Sequence, residues 1–227
     1  LECPFYEALN VEGGIVLITL PMNHVFGLAI WLYSYCKHGA TIVLHRWFDP
    51  VKTLQDIEKF KISLVPLVPT MLLMILEEAS KNTYDTSSVR FWFVAAAPFP
   101  PHKIKEVEER LGGIFIHDYG LTETMGDLSC QDPNGIRKLG SVGKPMPGME
   151  VRIVDDNGNE VPRGEWGEIT VRGWGVMKGY LNRPKETSEV LKGGFLYTGD
   201  IGYLDEDGDL FITDRKKNMI LRGGENI

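Results

Sequence analysis

Residues 89–124 read VRFWFVAAAPFPPHKIKEVEERLGGIFIHDYGLTET and decide the fold class. The stretch opens with a short apolar and aromatic run, which predicts a buried strand. After a proline pair comes an amphipathic segment that ends at the glycines 112–113, and three of its apolar residues share one helical face: Ile104, Val107 and Leu111. A second apolar run, 114–117, predicts another strand. This order of strand, helix and strand is typical of a parallel sheet covered by helices.

The same alternation extends towards the start of the chain. Further short apolar runs predict three more strands, at 15–20, 41–44 and 62–67. Longer amphipathic segments predict the helices between them, at 24–37, after a cap at Asp49, and at 70–79. The first half therefore predicts five parallel strands joined by helices.

Glycine becomes frequent after Tyr119, because six of the 25 glycines precede it and 19 follow. Apolar runs in this second half flank turn-rich segments such as DEDGD and predict antiparallel strands, at 149–154, 168–172, 202–204 and 210–213. The predicted fold class is α/β, with a parallel sheet and covering helices followed by a β-rich, distorted barrel-like subdomain.

Three parts of the chain are predicted. Residues 1–139 form an α/β subdomain. Residues 140–213 form the β-rich subdomain. Residues 214–227 form a separate C-terminal segment.

Composition excludes several classes of protein. The net charge is −7 and the longest run of Lys and Arg is 215–217, so no nucleic-acid partner is predicted. The longest apolar stretch, 25–36, is shorter than the roughly 18 residues that cross a bilayer, so no transmembrane segment is predicted. Three cysteines without metal-binding spacing argue against a disulfide framework or a zinc site and favour the cytoplasm.

Three loops follow predicted parallel strands: PMNHVFG, AAAPFP and DYGLTET. Because ligands bind beyond the carboxyl ends of parallel strands, we expect these loops to meet. Thr122 and Glu123 place a hydroxyl beside a carboxylate, a pair suited to phosphate and Mg²⁺. Further on, YTGDIG places Asp200 in a glycine-flanked turn, where a carboxylate can accept hydrogen bonds from two neighbouring hydroxyls, as in a ribose.

Each of these features has a simpler explanation when taken alone. YGLTET is also compatible with a strand end followed by a helix cap at Thr122. His24 is also compatible with an ordinary surface histidine, the alanines 95–97 with tight packing, and Asp200 with an ordinary turn aspartate.

Four segments together resemble the AMP-forming adenylating superfamily, which includes acyl-CoA synthetases, firefly luciferases and the adenylation domains of peptide synthetases. YGLTET is similar to its Tyr-Gly-x-Thr-Glu core, and GEITVRGWGVMKGYLNRPKET to its Gly-Glu strand and Gly-Tyr segment. YTGDIG is similar to its Thr-Gly-Asp signature, and DRKKNMILRGGENI to its terminal Arg-containing motif. Each motif is weak alone, but four in the family's order, spanning nearly the whole chain, are specific.

For the adenine ring, the resemblance implies that Tyr119 stacks on the base and that the backbone around Ala96, Ala97 and Pro98 lines it. His117 stands where relatives usually carry an Asn, Gln or Asp that touches the adenine amino group. The contact made by His117 is therefore left open.

For the rest of the nucleotide, the resemblance implies that Asp200 and Arg215 contact the ribose, that Thr122 holds the α-phosphate and that Glu123 binds Mg²⁺. Lys217 matches the hinge about which the family's small C-terminal domain turns. The resemblance thus implies that residues 1–139 are a nucleotide- and acyl-binding subdomain whose N-terminal part is missing, and that residues 214–227 are a hinge segment leading to a missing C-terminal domain. The family's phosphate loop and its catalytic C-terminal lysine are not in the chain, which is therefore expected to be a fragment.

The acid substrate is expected to lie beside six residues that follow the same strand ends: His24, Val25, Gly27, Ala95, Gly120 and Met125. The set is apolar and offers no buried anion for a substrate ammonium, which disfavours amino acids.

The predicted function of the full-length protein is an acyl-CoA synthetase that uses ATP, Mg²⁺ and coenzyme A to activate an apolar carboxylic acid, and a homodimer is possible. The alternatives are a nucleotide-binding module without turnover and another adenylate-forming ligase.

Overall fold

The computed structural model describes residues 13–28 and 38–215, and the backbone of two short strands beyond them. The larger of its sheets has seven strands in the order β2-β1-β3-β4-β5-β6-β7. These strands are β1 (Ile15–Ile18), β2 (Thr41–Leu44), β3 (Leu64–Leu67), β4 (Phe91–Val94), β5 (Ile114–Tyr119), β6 (Ser129–Cys130) and β7 (Lys144–Pro145). Strands β1 to β5 are parallel, and β6 and β7 extend the sheet in antiparallel fashion.

Three helices connect strands of this sheet and confirm the predicted pattern: α1 (Pro50–Phe60), α2 (Pro69–Glu78) and α3 (Pro101–Leu111). Helix α1 begins after Asp49, the predicted N-cap residue. The Asp49 carboxylate accepts a hydrogen bond of 2.7 Å from the Lys52 backbone amide. It ends at Lys61, which adopts a left-handed conformation.

The central strands of the seven-stranded sheet are buried on both faces. On one face, Leu17, Trp92 and Phe115 pack in a single buried cluster with apolar residues of the three helices. On the other, Ile18 and Ile116 pack with buried residues of the second sheet. Strand residues therefore alternate between two cores, which explains why the sequence shows continuous apolar runs here.

The second sheet is antiparallel and confirms a β-rich second part. Its strands are β8 (Met149–Val154), β9 (Gly167–Gly173), β10 (Leu191–Lys192), β11 (Phe195–Leu204) and β12 (Leu210–Arg215). The predicted tight turn joins β11 to β12, with the Asp205 amide donating to the Asp209 carbonyl oxygen at 3.0 Å. A fourth helix, α4 (Pro184–Val190), precedes β10. The last two strands, β13 (Leu221–Arg222) and β14 (Glu225–Asn226), pair with each other.

Several sequence expectations need correction or lie outside the described part. The prediction that Asp200 lies in a turn is wrong, because it lies inside β11, where Gly199 has a φ of +74° and the pairing with β9 shifts register. The helix predicted at 24–37 is described only as far as residue 28, with a helical turn at 25–28. Lys217 also lies outside the described residues, and the three-part division of the chain remains a prediction.

In the described ranges no helix is both long and apolar enough to cross a membrane.

Lys138 connects the loop between β6 and β7 to the turn between β11 and β12. Its ammonium lies 2.5 Å from Asp205, 2.6 Å from Asp207 and 3.4 Å from Asp209. These hydrogen bonds hold the pKa of Lys138 above its ordinary value, so the side chain stays charged.

We expect Lys138→Met to lower the melting temperature, because three carboxylates would then face one another without a cation. The effect should be larger at low salt, where their repulsion is less screened. Lys105→Met is the matched control, since it removes an exposed ion pair of 3.6 Å with Glu109 on α3. Equal melting temperatures for the two variants would show that the Lys138 cluster adds no stability.

Candidate functional site

A cavity of about 480 Å³ lies between the carboxyl ends of β4 and β5, the middle of β11 and the end of β12. Apolar walls come from Phe99, Val142 and Ile212. The seven residues predicted for the nucleotide all line this cavity: Ala96, Ala97, Pro98, His117, Tyr119, Asp200 and Arg215. The parallel sheet and the antiparallel sheet therefore both contribute to one site. We refer to it as the ring cavity.

The loop after β4 brings main-chain atoms to the wall of the ring cavity. Ala96 has a φ of 73°, a left-handed conformation that is uncommon for a residue other than glycine. The next residue, Ala97, accepts a hydrogen bond of 3.3 Å from Nε2 of His117. Burial lowers the pKa of His117 below its ordinary 6.5, so its ring is neutral at pH 7. The His117 side chain is thus hydrogen-bonded to the loop that follows β4.

Tyr119, Asp200 and Arg215 form a hydrogen-bonded group at the opposite wall. The Tyr119 hydroxyl donates to Oδ2 of Asp200 at 2.6 Å, and Nε of Arg215 lies 3.1 Å from Oδ1. Asp200 and Arg215 are also register partners in the β11–β12 pairing. Burial raises the pKa of Asp200, and the Tyr119 hydrogen bond and the Arg215 charge partly offset that rise. Burial and the nearby Asp200 charge raise the pKa of Tyr119, so its hydroxyl remains a donor.

A second cavity of about 250 Å³ adjoins the first and shares Ala96, Gly120, Leu121 and Arg215 with it. We refer to it as the phosphate-side cavity. Its lining also includes five further residues that the sequence predicts for the site: His24, Val25, Ala95, Thr122 and Glu123. The three loops that follow β1, β4 and β5 therefore meet, as their topology predicts.

Two residues expected beside the acid are not in the lining of the phosphate-side cavity. Gly27 packs on the main chain, since a Cβ placed there would lie 2.5 Å from the Pro21 carbonyl oxygen. Met125 is 56% exposed. A role for either residue in binding the acid stays a prediction.

The YGLTET segment forms a single 3₁₀ turn, Thr122–Thr124, after β5. The Leu121 amide donates to the Thr124 hydroxyl at 3.0 Å, so Thr124 closes this turn. The simpler explanation of Thr122 as a helix cap therefore does not describe the turn. Thr122 is exposed and lines the phosphate-side cavity.

Glycine is required at position 120 by a close approach of two main-chain segments. A Cβ built on Gly120 would lie 1.6 Å from the carbonyl oxygen of Gly126 and 2.8 Å from the Asp127 nitrogen. The tight fold-back that follows β5 depends on this contact. This fold-back places Thr122 and Glu123 at the phosphate-side cavity.

Residues that sequence reasoning missed also line the ring cavity. Asp118 is the motif neighbour of Tyr119, and Ile212 to Asp214 directly precede Arg215. Their position beside the motifs is the signal that could have identified them. Asp118 is buried, and burial together with the nearby Asp127 charge raises its pKa well above the ordinary value.

The residues present fit a magnesium nucleotide. Glu123 is the one carboxylate among the described residues that line the phosphate-side cavity. Mg²⁺ is usually bound by one or two carboxylates together with substrate phosphates. The ring cavity next to it offers apolar walls and a carboxylate, Asp200, suited to an aromatic base and a ribose.

Comparison with known proteins gives consistent matches. Residues 3–181 match the protein family described as AMP-binding enzyme. The chain is 38% identical over 213 residues to a long-chain-fatty-acid–CoA ligase of Bacillus subtilis (strain 168), a match that covers 93% of this chain and 38% of that protein. It is 39% identical over 226 residues to a 2-succinylbenzoate–CoA ligase of Bacillus pumilus (strain SAFR-032), covering 97% of this chain and 45% of that protein.

Among solved structures, the fold is similar to the O-succinylbenzoate coenzyme A synthetase (MenE) of Bacillus subtilis in complex with ATP and magnesium ion. The TM-score is 0.87 at 36% identity, over 97% of this chain and 46% of that one. The chain spans less than half the length of each of these relatives.

Proposed function

The chain belongs to the AMP-binding enzyme family, and from this premise we propose that the full-length protein activates a carboxylic acid with ATP and transfers the acyl group to coenzyme A. The observation that carries the proposal is the meeting of two residue groups around adjoining cavities. Tyr119, Asp200 and Arg215 form one group, and Thr122 with Glu123 forms the other. Relatives that carry out CoA ligation support the same class of reaction.

In this proposal the ring cavity holds the adenosine part of ATP. The Tyr119 ring stacks on adenine, and the main chain of Ala96, Ala97 and Pro98 lines the base. Each oxygen of Asp200 already accepts one hydrogen bond and retains a lone pair for a ribose hydroxyl. Arg215 lines both cavities, so its guanidinium lies between the ribose and phosphate regions.

The chemical step joins a carboxylate oxygen to the α-phosphorus and releases pyrophosphate; a thiol then attacks the acyl carbon and releases AMP. Thr122 holds the α-phosphate through its hydroxyl, and Glu123 holds Mg²⁺, which when bound supplies charge neutralisation for the phosphates. Orientation of the acid at the phosphate is the other contribution of the site, since good orientation alone lowers a barrier by several kcal/mol, roughly 7–11 in favourable cases.

We propose that the acid is apolar or aromatic. His24, Val25, Phe26 and Ala95 line the phosphate-side cavity near Glu123. None of these four carries an anion that would pair with a substrate ammonium. The relatives act on long-chain fatty acids and on 2-succinylbenzoate, so a fatty acid is one member of the proposed class and not its definition. Cytoplasmic location and a homodimer remain predictions from the sequence.

We expect the full-length protein, given ATP, Mg²⁺ and coenzyme A, to release AMP and pyrophosphate only when a suitable acid is present. Fatty acids of graded length and aryl acids should be screened by pyrophosphate release, with product nucleotides separated by chromatography. ADP and phosphate as products, or activity with amino acids alone, would contradict the proposal. Nucleotide binding without pyrophosphate release for any acid would favour the binding-module alternative.

A further inference from the structure

The loop that joins β9 to α4 reaches across to the YGLTET turn. We call residues 174–183 the Gly-Tyr loop. The Met177 amide donates to the main-chain carbonyl oxygen of Glu123 at 2.8 Å. Gly175 passes so close that a Cβ on it would lie 2.8 Å from the Thr124 carbonyl oxygen. The main chain of the Gly-Tyr loop is therefore in direct contact with the residue proposed to hold the metal ion.

The same loop also contacts the carboxylate of Glu123. The Tyr180 hydroxyl donates a hydrogen bond of 2.8 Å to Oε1 of Glu123. Both side chains line a third cavity of about 450 Å³ that shares Leu121 and Arg215 with the phosphate-side cavity. One oxygen of the carboxylate is thus held by a residue 57 positions away along the chain.

Tyr180 is itself held in place by α4. Its main-chain amide donates to the Thr187 hydroxyl at 2.9 Å. That hydroxyl donates to the Arg183 carbonyl oxygen at 2.7 Å, which ties it to the start of the helix. The preceding Gly179 has a φ of +148° and approaches the Thr187 side chain closely, so the main chain at Tyr180 has little freedom. A chain of contacts therefore runs from α4 through Tyr180 to Glu123.

We propose that Tyr180 is a positioning residue for Glu123, and that its hydroxyl fixes the orientation in which the Glu123 carboxylate is offered to a divalent cation bound with ATP. This inference rests on the proposed function, because it concerns the cation of the same site. Hydrogen-bond partners of metal-binding carboxylates orient the ligand, and losing one typically costs about 10- to 100-fold in metal affinity or activity.

The direction of this hydrogen bond suits the role. A carboxylate oxygen can only accept, so the Tyr180 hydroxyl is the donor. Phenylalanine keeps the ring and its packing but cannot donate, which makes Tyr180→Phe the direct test.

The test measures ATP affinity of the full-length protein by calorimetry, once with Mg²⁺ and once with EDTA. For Tyr180→Phe we expect the gain in ATP affinity on adding Mg²⁺ to fall about tenfold, while the affinity in EDTA stays within about twofold of wild type. The Mg²⁺ concentration for half-maximal pyrophosphate release should rise by a similar factor, and saturating Mg²⁺ should restore the rate. An unchanged Mg²⁺-dependent gain would overturn the inference.

Tyr84→Phe is the matched control. The Tyr84 hydroxyl donates to Oε1 of Glu78 at 2.9 Å, an equivalent tyrosine–glutamate hydrogen bond in neither of the two cavities. A merely structural role for Tyr180 predicts that both variants change the melting temperature and that neither changes the Mg²⁺ dependence. Our inference predicts that only Tyr180→Phe changes the Mg²⁺ dependence.

A double variant tests whether Tyr180 acts through Glu123. In a Glu123→Gln background, adding Tyr180→Phe should cause no further loss of the Mg²⁺-dependent gain, because residues that act through one another are non-additive. A full additional loss would overturn the inference. A wild-type protein that shows the Mg²⁺-dependent gain but releases no pyrophosphate with any acid would contradict the proposed function alone, since the calorimetric test of Tyr180 needs no acid.

Discussion

Gly120→Ala is expected to lower the rate of acid-dependent pyrophosphate release by roughly 100-fold or more and to weaken ATP binding. The added Cβ would lie 1.6 Å from the Gly126 carbonyl oxygen, a separation that neither main-chain segment can accommodate in place. The turn must therefore move by more than 1 Å, and Thr122 and Glu123 move with it. A misplacement of about 1 Å at a reacting site can alone cost roughly 100-fold in rate.

Gly112→Ala separates this collision from general effects of replacing glycine. Gly112 lies just before β5 with a φ of +67°, and a Cβ there meets nothing within 4 Å. Its ψ is −170°, so alanine at this position carries the strain of a backbone region used almost only by glycine, about 1–3 kcal/mol. It should lower thermal stability without changing nucleotide affinity. Nucleotide affinities should be measured for both variants by calorimetry, with circular dichroism to confirm folding. Wild-type affinity in a folded Gly120→Ala protein would show that the turn is not needed for binding.

The parallel half of the fold could be predicted because its signals are local. Buried strands such as Phe91–Val94 are continuous apolar runs, and α3 shows one apolar face and ends in glycines. The elements that were missed have no comparable signal. Strands β6 and β7 contain two residues each, too few for any periodicity. Helix α4 buries none of its residues and so shows no apolar stripe.

The part of the candidate site that lies in loops after the parallel strands could also be predicted from the sequence. Loops that follow parallel strands must lie at one edge of the sheet, so the meeting of His24, Ala95 and Glu123 follows from topology. Contacts made across the two sheets have no such rule. The Tyr119–Asp200 hydrogen bond spans 81 positions, and nothing in the spacing of its partners indicates it. The sequence predicts a turn at Asp200, but Asp200 lies in β11, and the register shift between Tyr197 and Ile201 is likewise a feature of the pairing with β9.

Asp200→Ala is expected to weaken AMP and ATP binding by roughly 10- to 150-fold. The carboxylate is 5% exposed and lies at the wall of the ring cavity, where we propose that it accepts hydrogen bonds from two ribose hydroxyls. Hydrogen bonds to a charged group contribute about 1.5–3 kcal/mol, and each 1.4 kcal/mol is tenfold in affinity. Calorimetry on the folded full-length variant would measure the loss. Unchanged AMP affinity would remove Asp200 from the nucleotide site.

The ionisation of Asp200 gives this prediction a second, independent readout. Burial and the Glu168 charge raise its pKa above the ordinary 3.8, while Tyr119 and Arg215 oppose the rise. As pH falls through that raised pKa the carboxylate is protonated and loses acceptor capacity, so ligand affinity should begin to fall at a higher pH than for an ordinary aspartate. Adenosine is the appropriate ligand, because it has the ribose but no phosphate to titrate. Asp200→Asn should bind adenosine weakly with no such pH dependence, since an amide does not ionise. A wild-type pH profile in Asp200→Asn would assign the titration to another group.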